Sequence, residues 1–481
     1  MQRAPMQWLF LFCVLVAAAC TVLGFSRQTS LPAMPAAASA ATLSAGEGPL
    51  AMTATLTQSK LVRGSDGRTT LSLTLKAAAG EGPASPSGHP AVNQPMDVAV
   101  VLDRSGSMRG DKMAGAKEAL RTLVAAMTER DRFALVSYAD DVVVHQPLAR
   151  CTPQTKAALL EHIESLEAGG NTNLGAGLEY GLQALQQASE SANARLVLLV
   201  SDGLANRGVT DAVQLGRMAA KGLAQDVMLS TVGVGLDFNE FLMTRIADQG
   251  GGSYRFLEDP RTFAAGFFEE FATVRRAVAL HLELRIHLPR GVQLLEASGY
   301  PVDMDGDVAV IRPGSLADGA SRTLHLTLQA RTDQPAAFEI GPVSVRYGPR
   351  EAQRALHLTQ PLVVACVEGR ADADASIDKG SWERKVLTED YNKLKEDVAA
   401  KVRGGDAAGA RASIDHYVQT QQAANQAVGS ERVQDNLEKD VEQLRQQVDE
   451  TLAAPPAARP ALQNRMAKSM QYESYSGRRD K

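Results

Sequence analysis

Apolar and polar positions along the chain fall into three textures. Between Met52 and Leu75 they alternate: Met52, Ala54 and Leu56, then Leu71, Leu73 and Leu75 beyond the turn Gly64-Ser65-Asp66-Gly67. A period of two around a glycine-rich turn predicts a hairpin of half-buried strands. The same alternation returns in Val278, Leu280, Leu282, Leu284, Ile286 and Leu288. It is repeated in Leu324, Leu326 and Leu328, in Val343 and Val345, and in Leu356 and Leu358. Short alternating strands separated by Pro and Gly turns predict an antiparallel β-sandwich.

The middle of the chain reads differently. Continuous apolar runs at residues 98–102, 133–138, 196–200 and 227–234 alternate with helical patterns at 112–127, 155–166, 174–187, 211–223, 239–247 and 260–273. Strands that are apolar on both faces and separated by helices predict an α/β fold, a doubly wound and mainly parallel sheet. After Gly369 the strands stop. Leu387, Tyr391, Leu394 and Val398 form one helical stripe, and Val433, Leu437, Val441, Leu444 and Val448 another, with Gly404-Gly405 as a turn. These stripes predict two or three antiparallel helices that pack on each other, or a short coiled coil that meets a partner.

The predicted organisation is therefore an α/β domain at 95–275, inserted in or flanked by a sandwich built from 51–94 and 276–368. A polar linker at 369–380, a helical hairpin or bundle at 381–453 and a flexible Pro- and Ala-rich tail at 454–481 follow. That the early strands pair with the later ones is the economical arrangement, which the pattern alone does not decide.

The first 25 residues stand apart. Residues 8–25 are almost purely apolar and are preceded by Arg3, the pattern of an export signal peptide or of a single membrane anchor. Ala17-Ala18-Ala19 supplies an A-x-A cleavage pattern. Cys20 directly behind it resembles a bacterial lipoprotein acceptor, although Ala17 stands where such signals usually carry Leu. Every route predicts an exported protein of the periplasm or cell envelope. Residues 26–50 then read as a linker, with an Ala- and Ser-rich tether over 31–45.

Composition narrows the function. A formal charge of −5 disfavours a nucleic-acid binder, which needs a basic surface to displace counterions. Hydrophobic residues at 44% and charged residues at 22% describe globular domains rather than a disordered or collagen-like chain. Four cysteines do not make a disulfide scaffold; two of them, Cys13 and Cys20, lie in the apolar run. In an oxidising compartment Cys151 and Cys366 have two options, a disulfide or two buried free thiols.

The informative residues sit at the ends of the apolar runs in the middle domain. The first run ends in Asp103-Arg104-Ser105-Gly106-Ser107, and the run 196–200 ends in Ser201-Asp202-Gly203. A third loop, Gly169-Gly170-Asn171-Thr172-Asn173, precedes a predicted helix. Ligands of open parallel sheets bind outside the carboxyl ends of the strands, where these segments would meet. Asp103, Ser105, Ser107, Thr172 and Asp202 form a hard, all-oxygen set that suits Mg²⁺, Mn²⁺ or Ca²⁺ and not zinc. A divalent ion beside one directly bound carboxylate keeps a positive charge, and its shell needs water or an incoming anion to complete it. The set predicts an electrophilic socket for a carboxylate.

Here the chain resembles a known family. Asp103-x-Ser105-x-Ser107, with Thr172 and Asp202 downstream, resembles the metal-ion-dependent adhesion site of von Willebrand factor type A (VWA) domains, as also found in integrin inserted domains. The resemblance spans about residues 95–275. It includes the segments from Met96 to Met108, Gly170-Asn171-Thr172-Asn173-Leu174, Leu199-Val200-Ser201-Asp202-Gly203 and Val232-Gly233-Val234-Gly235. It implies that Asp103, Ser105, Ser107 and Thr172 contact the metal directly or through water, and that Asp202 acts through water. Mg²⁺ is the expected ion, and the implied partner is a protein offering Asp or Glu. The flanking sandwich and helices also resemble exported bacterial proteins with this domain, some described by analogy with calcium-activated chloride-channel proteins or inter-alpha-trypsin inhibitor heavy chains.

An enzyme reading finds little to stand on. Ser105 and Ser107 are the best candidate nucleophiles, yet no His holds a comparable strand-end position. His145 and His162 fit a surface strand and a helix, and the chain lacks H-E-x-x-H, a P-loop lysine motif and G-x-S-x-G. His281, His287, His325 and His357 occupy the polar phase of sandwich strands and are expected to face solvent. Two non-catalytic functions are expected: an envelope binding module acting through the metal, or an assembly protein acting through its helical tail, with the metal stabilising loops only.

Overall fold

A computed structural model describes residues 42–79, 94–186, 193–349 and 352–479. The apolar run at 8–25 with Cys20, and the tether up to residue 41, lie outside the described residues. No helix among the described residues is long and apolar enough to cross a membrane.

The middle of the chain forms a six-stranded sheet in the order Gly251–Leu257, Val227–Val234, Ala194–Ser201, Met96–Asp103, Arg132–Tyr138, Val142–Arg150. Every pairing is parallel except the last, an antiparallel hairpin at one edge. Three of the four inner strands, Met96–Asp103, Ala194–Ser201 and Val227–Val234, bury every residue, because helices cover both faces. Val98, Val100 and Leu102 face helices Asp111–Ala126, Pro153–Glu164 and Phe263–Arg275. Ala99 and Val101 face helices Leu174–Gln186, Ala212–Leu223 and Glu240–Gln249. Within Leu174–Gln186, a Cβ on Gly177 would lie 2.5 Å from Tyr138, and one on Gly181 would lie 2.3 Å from Val101. The missing side chains let this helix lie directly on the sheet, which places the loop before it at the carboxyl edge.

The flanking strands form one sandwich core, which draws on residues from both sides of the α/β domain. Strand Arg68–Ala77 pairs antiparallel with Ser321–Ala330, in register from Lys76↔Ser321 to Arg68↔Gln329. The α/β domain is thus inserted between paired sandwich strands. A second five-stranded sheet runs Val302–Asp305, Val308–Ala317, Ala277–His287, Val343–Tyr347, Arg354–His357. Lys60–Val62, between the two strands of the early hairpin, leaves it to pair in parallel with Leu362–Val367. Cys151 lies in the α/β core, and Cys366 in strand Leu362–Val367; both are free buried thiols.

Several expectations need correction. The linker does not extend to residue 50, nor the tether to residue 45: Thr42–Glu47 is an edge strand paired with Leu50–Leu56, with Leu43 and Ala45 packed on the sandwich core. Gly48, at φ +61, supplies the left-handed turn between them. The alternation in strand Ala277–His287 is not unbroken. Ala277 and Ala279 are buried, then Leu282, Leu284 and Ile286, because an irregularity between Ala279 and Leu282 flips the phase. His281, at φ +51, sits at that flip with its side chain only 10% exposed. His325 is not solvent-facing either. It lies beneath the helical region between Ser72 and Thr388, each 3.0 Å from a ring nitrogen, and burial pushes its pKa down to about 4.

The linker at 369–380 is structured. Helix Arg370–Asp374 is followed by Ser376, whose hydroxyl accepts from the Lys60 backbone at 2.9 Å, and by Asp378, whose side chain caps the helix beginning at Lys379. The tail, expected to be flexible, is helical over most of its length. Arg459–Arg479 is a single helix that buries Ala467, Met470 and Tyr475 together with Lys468, Arg478 and Arg479. Each of these three buried cations meets a carboxylate in space. Lys468 Nζ lies 2.8 Å from Glu240, Arg478 contacts Glu389 at 2.9 Å and Glu396 at 2.8 Å, and Arg479 pairs with Asp248. The helix also covers the edge of the parallel sheet, where the Tyr254 N–H donates to Tyr475 Oη at 2.9 Å.

Candidate metal centre

The carboxyl edge of the parallel sheet gathers the three oxygen-rich loops. Strand Met96–Asp103 ends in Asp103, a tight turn Gly106–Met108 follows, and helix Asp111–Ala126 begins beyond Gly110. Backbone hydrogen bonds stitch this loop to the next: Gly106 N–H to Gly170 O at 3.0 Å, and Gly169 N–H to Arg104 O at 2.7 Å. The Asn206 and Arg207 N–H groups both reach Thr172 O, and the Thr172 N–H donates to Asn206 Oδ1 at 2.9 Å. Gly170 takes φ +86, and a Cβ there would lie 2.4 Å from Asp140 Oδ2, so only glycine fits the crossing. Three loops are held by their own backbones before any ligand arrives.

All five residues expected from the sequence stand at this edge. Asp103 and Asp202 are fully buried, Ser105 and Thr172 nearly so, and Ser107 is exposed. The Ser105 and Ser107 hydroxyls lie 3.0 Å apart, and Ser107 Oγ donates to Asp202 Oδ1 at 2.7 Å. A Cβ on Gly203 would lie 3.2 Å from Ser107 Oγ and 3.7 Å from Thr172 Oγ1. The space that glycine leaves open is therefore flanked by both hydroxyls. These donors are hard oxygens around two carboxylates, a set that fits Mg²⁺, Mn²⁺ or Ca²⁺. Among the described residues no group of three or more His, Cys, Asp or Glu gathers as a metal cluster.

Four further contributors escaped the sequence reading. Ser201 Oγ donates to Asp103 Oδ2 at 2.8 Å, while the Ser105 N–H holds Oδ1 at 2.8 Å. Tyr138, fully buried beneath the site, donates to Val200 O at 3.0 Å. Asn206 fixes Thr172, and Lys112 Nζ lies 2.6 Å from Asp202 Oδ2. Ser201 lies within the segment Ser201-Asp202-Gly203 and was legible in principle, although the sequence pattern assigned it no role of its own. Lys112 and Tyr138 reach the site only through the fold.

Burial pushes the Asp103 carboxyl up to about 6 from its ordinary 3.8, with Asp202 adding to the shift and hydrogen bonds from Ser105 and Ser201 opposing it. A carboxyl raised in the fold contributes stability that is fully present below pH about 3.8 and is lost as pH rises through about 6, in total about 3 kcal/mol. In a chelator, thermal stability should therefore fall by that increment between pH 4 and pH 7 relative to Asp103→Asn, which lacks the titration. A matching pH profile for the two proteins would refute this.

Residues 97–270, the α/β domain described above, match the family model of the von Willebrand factor type A domain. The chain is 36% identical to the uncharacterized protein YfbK of Escherichia coli over 160 residues, which are 33% of this chain and 28% of that one. It is 25% identical over 340 residues to the uncharacterized protein sll0103 of Synechocystis, covering 68% of this chain and 78% of the relative. Human inter-alpha-trypsin inhibitor heavy chain H3 shares 30% over 197 residues, 39% of this chain and 22% of that protein. The match thus spans under a third of YfbK and of the heavy chain. Among solved structures, a von Willebrand factor type A protein from Catenulispora acidiphila superposes with a TM-score of 0.65 at 18% identity, covering 89% of this chain and 97% of that one. At that identity the likeness is one of fold, and it extends beyond the α/β domain to the flanking parts.

Proposed function

We propose that this protein is a binding protein of the cell envelope whose VWA domain captures a carboxylate of a protein partner through a divalent ion, with Mg²⁺ the expected ion. The observation that carries this reading is the convergence of Ser105, Ser107, Thr172 and Asp202 beside buried Asp103, on loops already fixed by backbone hydrogen bonds. Asp103, Ser105, Ser107, Thr172 and Asp202 would hold the ion. The ion would supply a localised positive charge with open coordination, which an Asp or Glu side chain fills. Export rests on the apolar run at 8–25, through which a cleaved signal, a retained anchor or lipidated Cys20 would bring the domain to the envelope.

A non-catalytic role has support in the same geometry. Ser105 and Ser107 bond to each other, Ser107 also bonds to Asp202, and His145, the histidine at the hairpin edge, bonds to Ser137 at 2.7 Å. Assembly through the helical region 381–453 draws less support, because its two stripes, Leu394 and Val398 with Val433, Leu437 and Val441, pack into one core of its own chain. A partner bearing exposed Asp or Glu, captured in Mg²⁺, should be released by a chelator. Retention through chelation contradicts the reading.

A further inference from the structure

The five oxygen donors leave one charged residue of the site without a role. Lys112 enters from the first turn of helix Asp111–Ala126, and its Nζ lies 2.6 Å from Asp202 Oδ2. The other oxygen of Asp202 is held by Ser107 at 2.7 Å, so the ammonium and the metal-site hydroxyl share one carboxylate. Asp202 has a side-chain exposure of 0% and Lys112 of 22%, so water screens the pair weakly. The slot is made by Gly235, which follows strand Val227–Val234 at φ +70. A Cβ there would lie 3.2 Å from Lys112 Cε and 3.4 Å from its Nζ.

The charges decide what the ammonium does. Asp103 and Asp202 bring two negative charges to a buried edge, and Lys112 returns one positive charge. With Lys112 the metal-free site carries a single net negative charge, and a divalent ion turns it to a single net positive one. Without Lys112 the metal-free site would carry two negative charges, and the loaded site would be neutral. A neutral loaded site has no net charge with which to draw a carboxylate.

We propose that Lys112 is a built-in counter-cation of the adhesion site: it holds Asp202 in the metal-free protein, weakens the grip on the divalent ion, and leaves the loaded site positive toward an incoming carboxylate. This rests on the divalent-site reading above. It assigns Lys112 a sign opposite to that of a residue that merely orients Asp202, whose loss would loosen the carboxylate and weaken the metal.

Mn²⁺ titrations of the purified full chain, followed by calorimetry and by the Mn²⁺ spin resonance of the free ion, separate the cases. Lys112→Met should bind Mn²⁺ about tenfold more tightly or better, the effect of removing a unit charge from a weakly screened site. Lys112→Arg, which keeps the charge, should stay close to the wild type, and Asp103→Ala should not bind. In a chelator Lys112→Met should melt below the wild type, and Mn²⁺ should raise its melting temperature by more than it raises the wild type's. Unchanged or weaker Mn²⁺ binding by Lys112→Met, beside normal binding by the wild type, overturns the role of Lys112 alone. Absence of binding by the wild type overturns both this role and the divalent site.

Discussion

Replacing Arg479 by Ala should destabilise the protein by about 3–5 kcal/mol, the cost of leaving a buried carboxylate without its counter-ion. Arg479 holds Asp248 through two contacts, Nε to Oδ1 at 3.1 Å and Nη2 to Oδ2 at 2.5 Å, with both side chains 5% exposed. The same guanidinium donates to Gly299 O at 2.9 Å and lies 4.1 Å over the Tyr475 ring, so the substitution also removes a stacked cation. Asp248 belongs to helix Glu240–Gln249 of the α/β domain, and Gly299 to the sandwich. One side chain from the last helix thus joins two parts of the molecule. Denaturant unfolding of Arg479→Ala and of the double variant Asp248→Asn/Arg479→Met should separate charge from packing, since removing both partners leaves no orphaned charge. The double variant should recover most of the loss. A loss below about 1 kcal/mol for Arg479→Ala would mean that the helix is held by its apolar contacts alone.

Asp103→Ala should abolish capture of a carboxylate-bearing partner while leaving the domain folded. Asp103 is the fully buried carboxylate to which the first loop and the third strand both return, through the Ser105 N–H and Ser201 Oγ. Its removal takes away the charge that would anchor the ion, but it also relieves the domain of a carboxylate whose ionised form burial disfavours. The metal-free fold should therefore survive, as circular dichroism and melting in a chelator will read. Asp103→Asn, which keeps the shape and can still accept from Ser105 and Ser201, serves as the second variant. Capture should disappear in both. Capture that persists in either, with the fold intact, would place the partner's contacts elsewhere on the chain.

The α/β domain was legible because its signals are local. Continuous apolar runs mark strands covered on both faces, and Asp103, Ser105, Ser107, Thr172 and Asp202 lie within short segments at the run ends. Strand ends moved by no more than two residues, with residues 98–102 becoming Met96–Asp103 and 196–200 becoming Ala194–Ser201. Strand Gly251–Leu257 was missed: its two glycines and mixed burial carry neither a continuous run nor clean alternation. The sandwich was legible in outline, but period two cannot reveal a break such as the one at His281. The last helix was misread because its buried positions include Lys468, Arg478 and Arg479, which periodicity scores as solvent-facing. Only tertiary pairing with Glu240, Glu389 and Asp248 makes them interior. Lys112 escaped for the same reason, since its partner Asp202 is distant in sequence and adjacent only across the sheet edge.

The most direct measurement of the central claim is calorimetric titration of the purified protein with Mg²⁺ and Mn²⁺, beside Asp103→Ala. The site described above predicts saturable one-to-one binding by the wild type and none by the variant. Absence of saturable binding up to about 10 mM, tenfold beyond the weakest extracellular divalent-ion modules at about 10⁻³ M, would contradict it. So would binding that Asp103→Ala leaves unchanged.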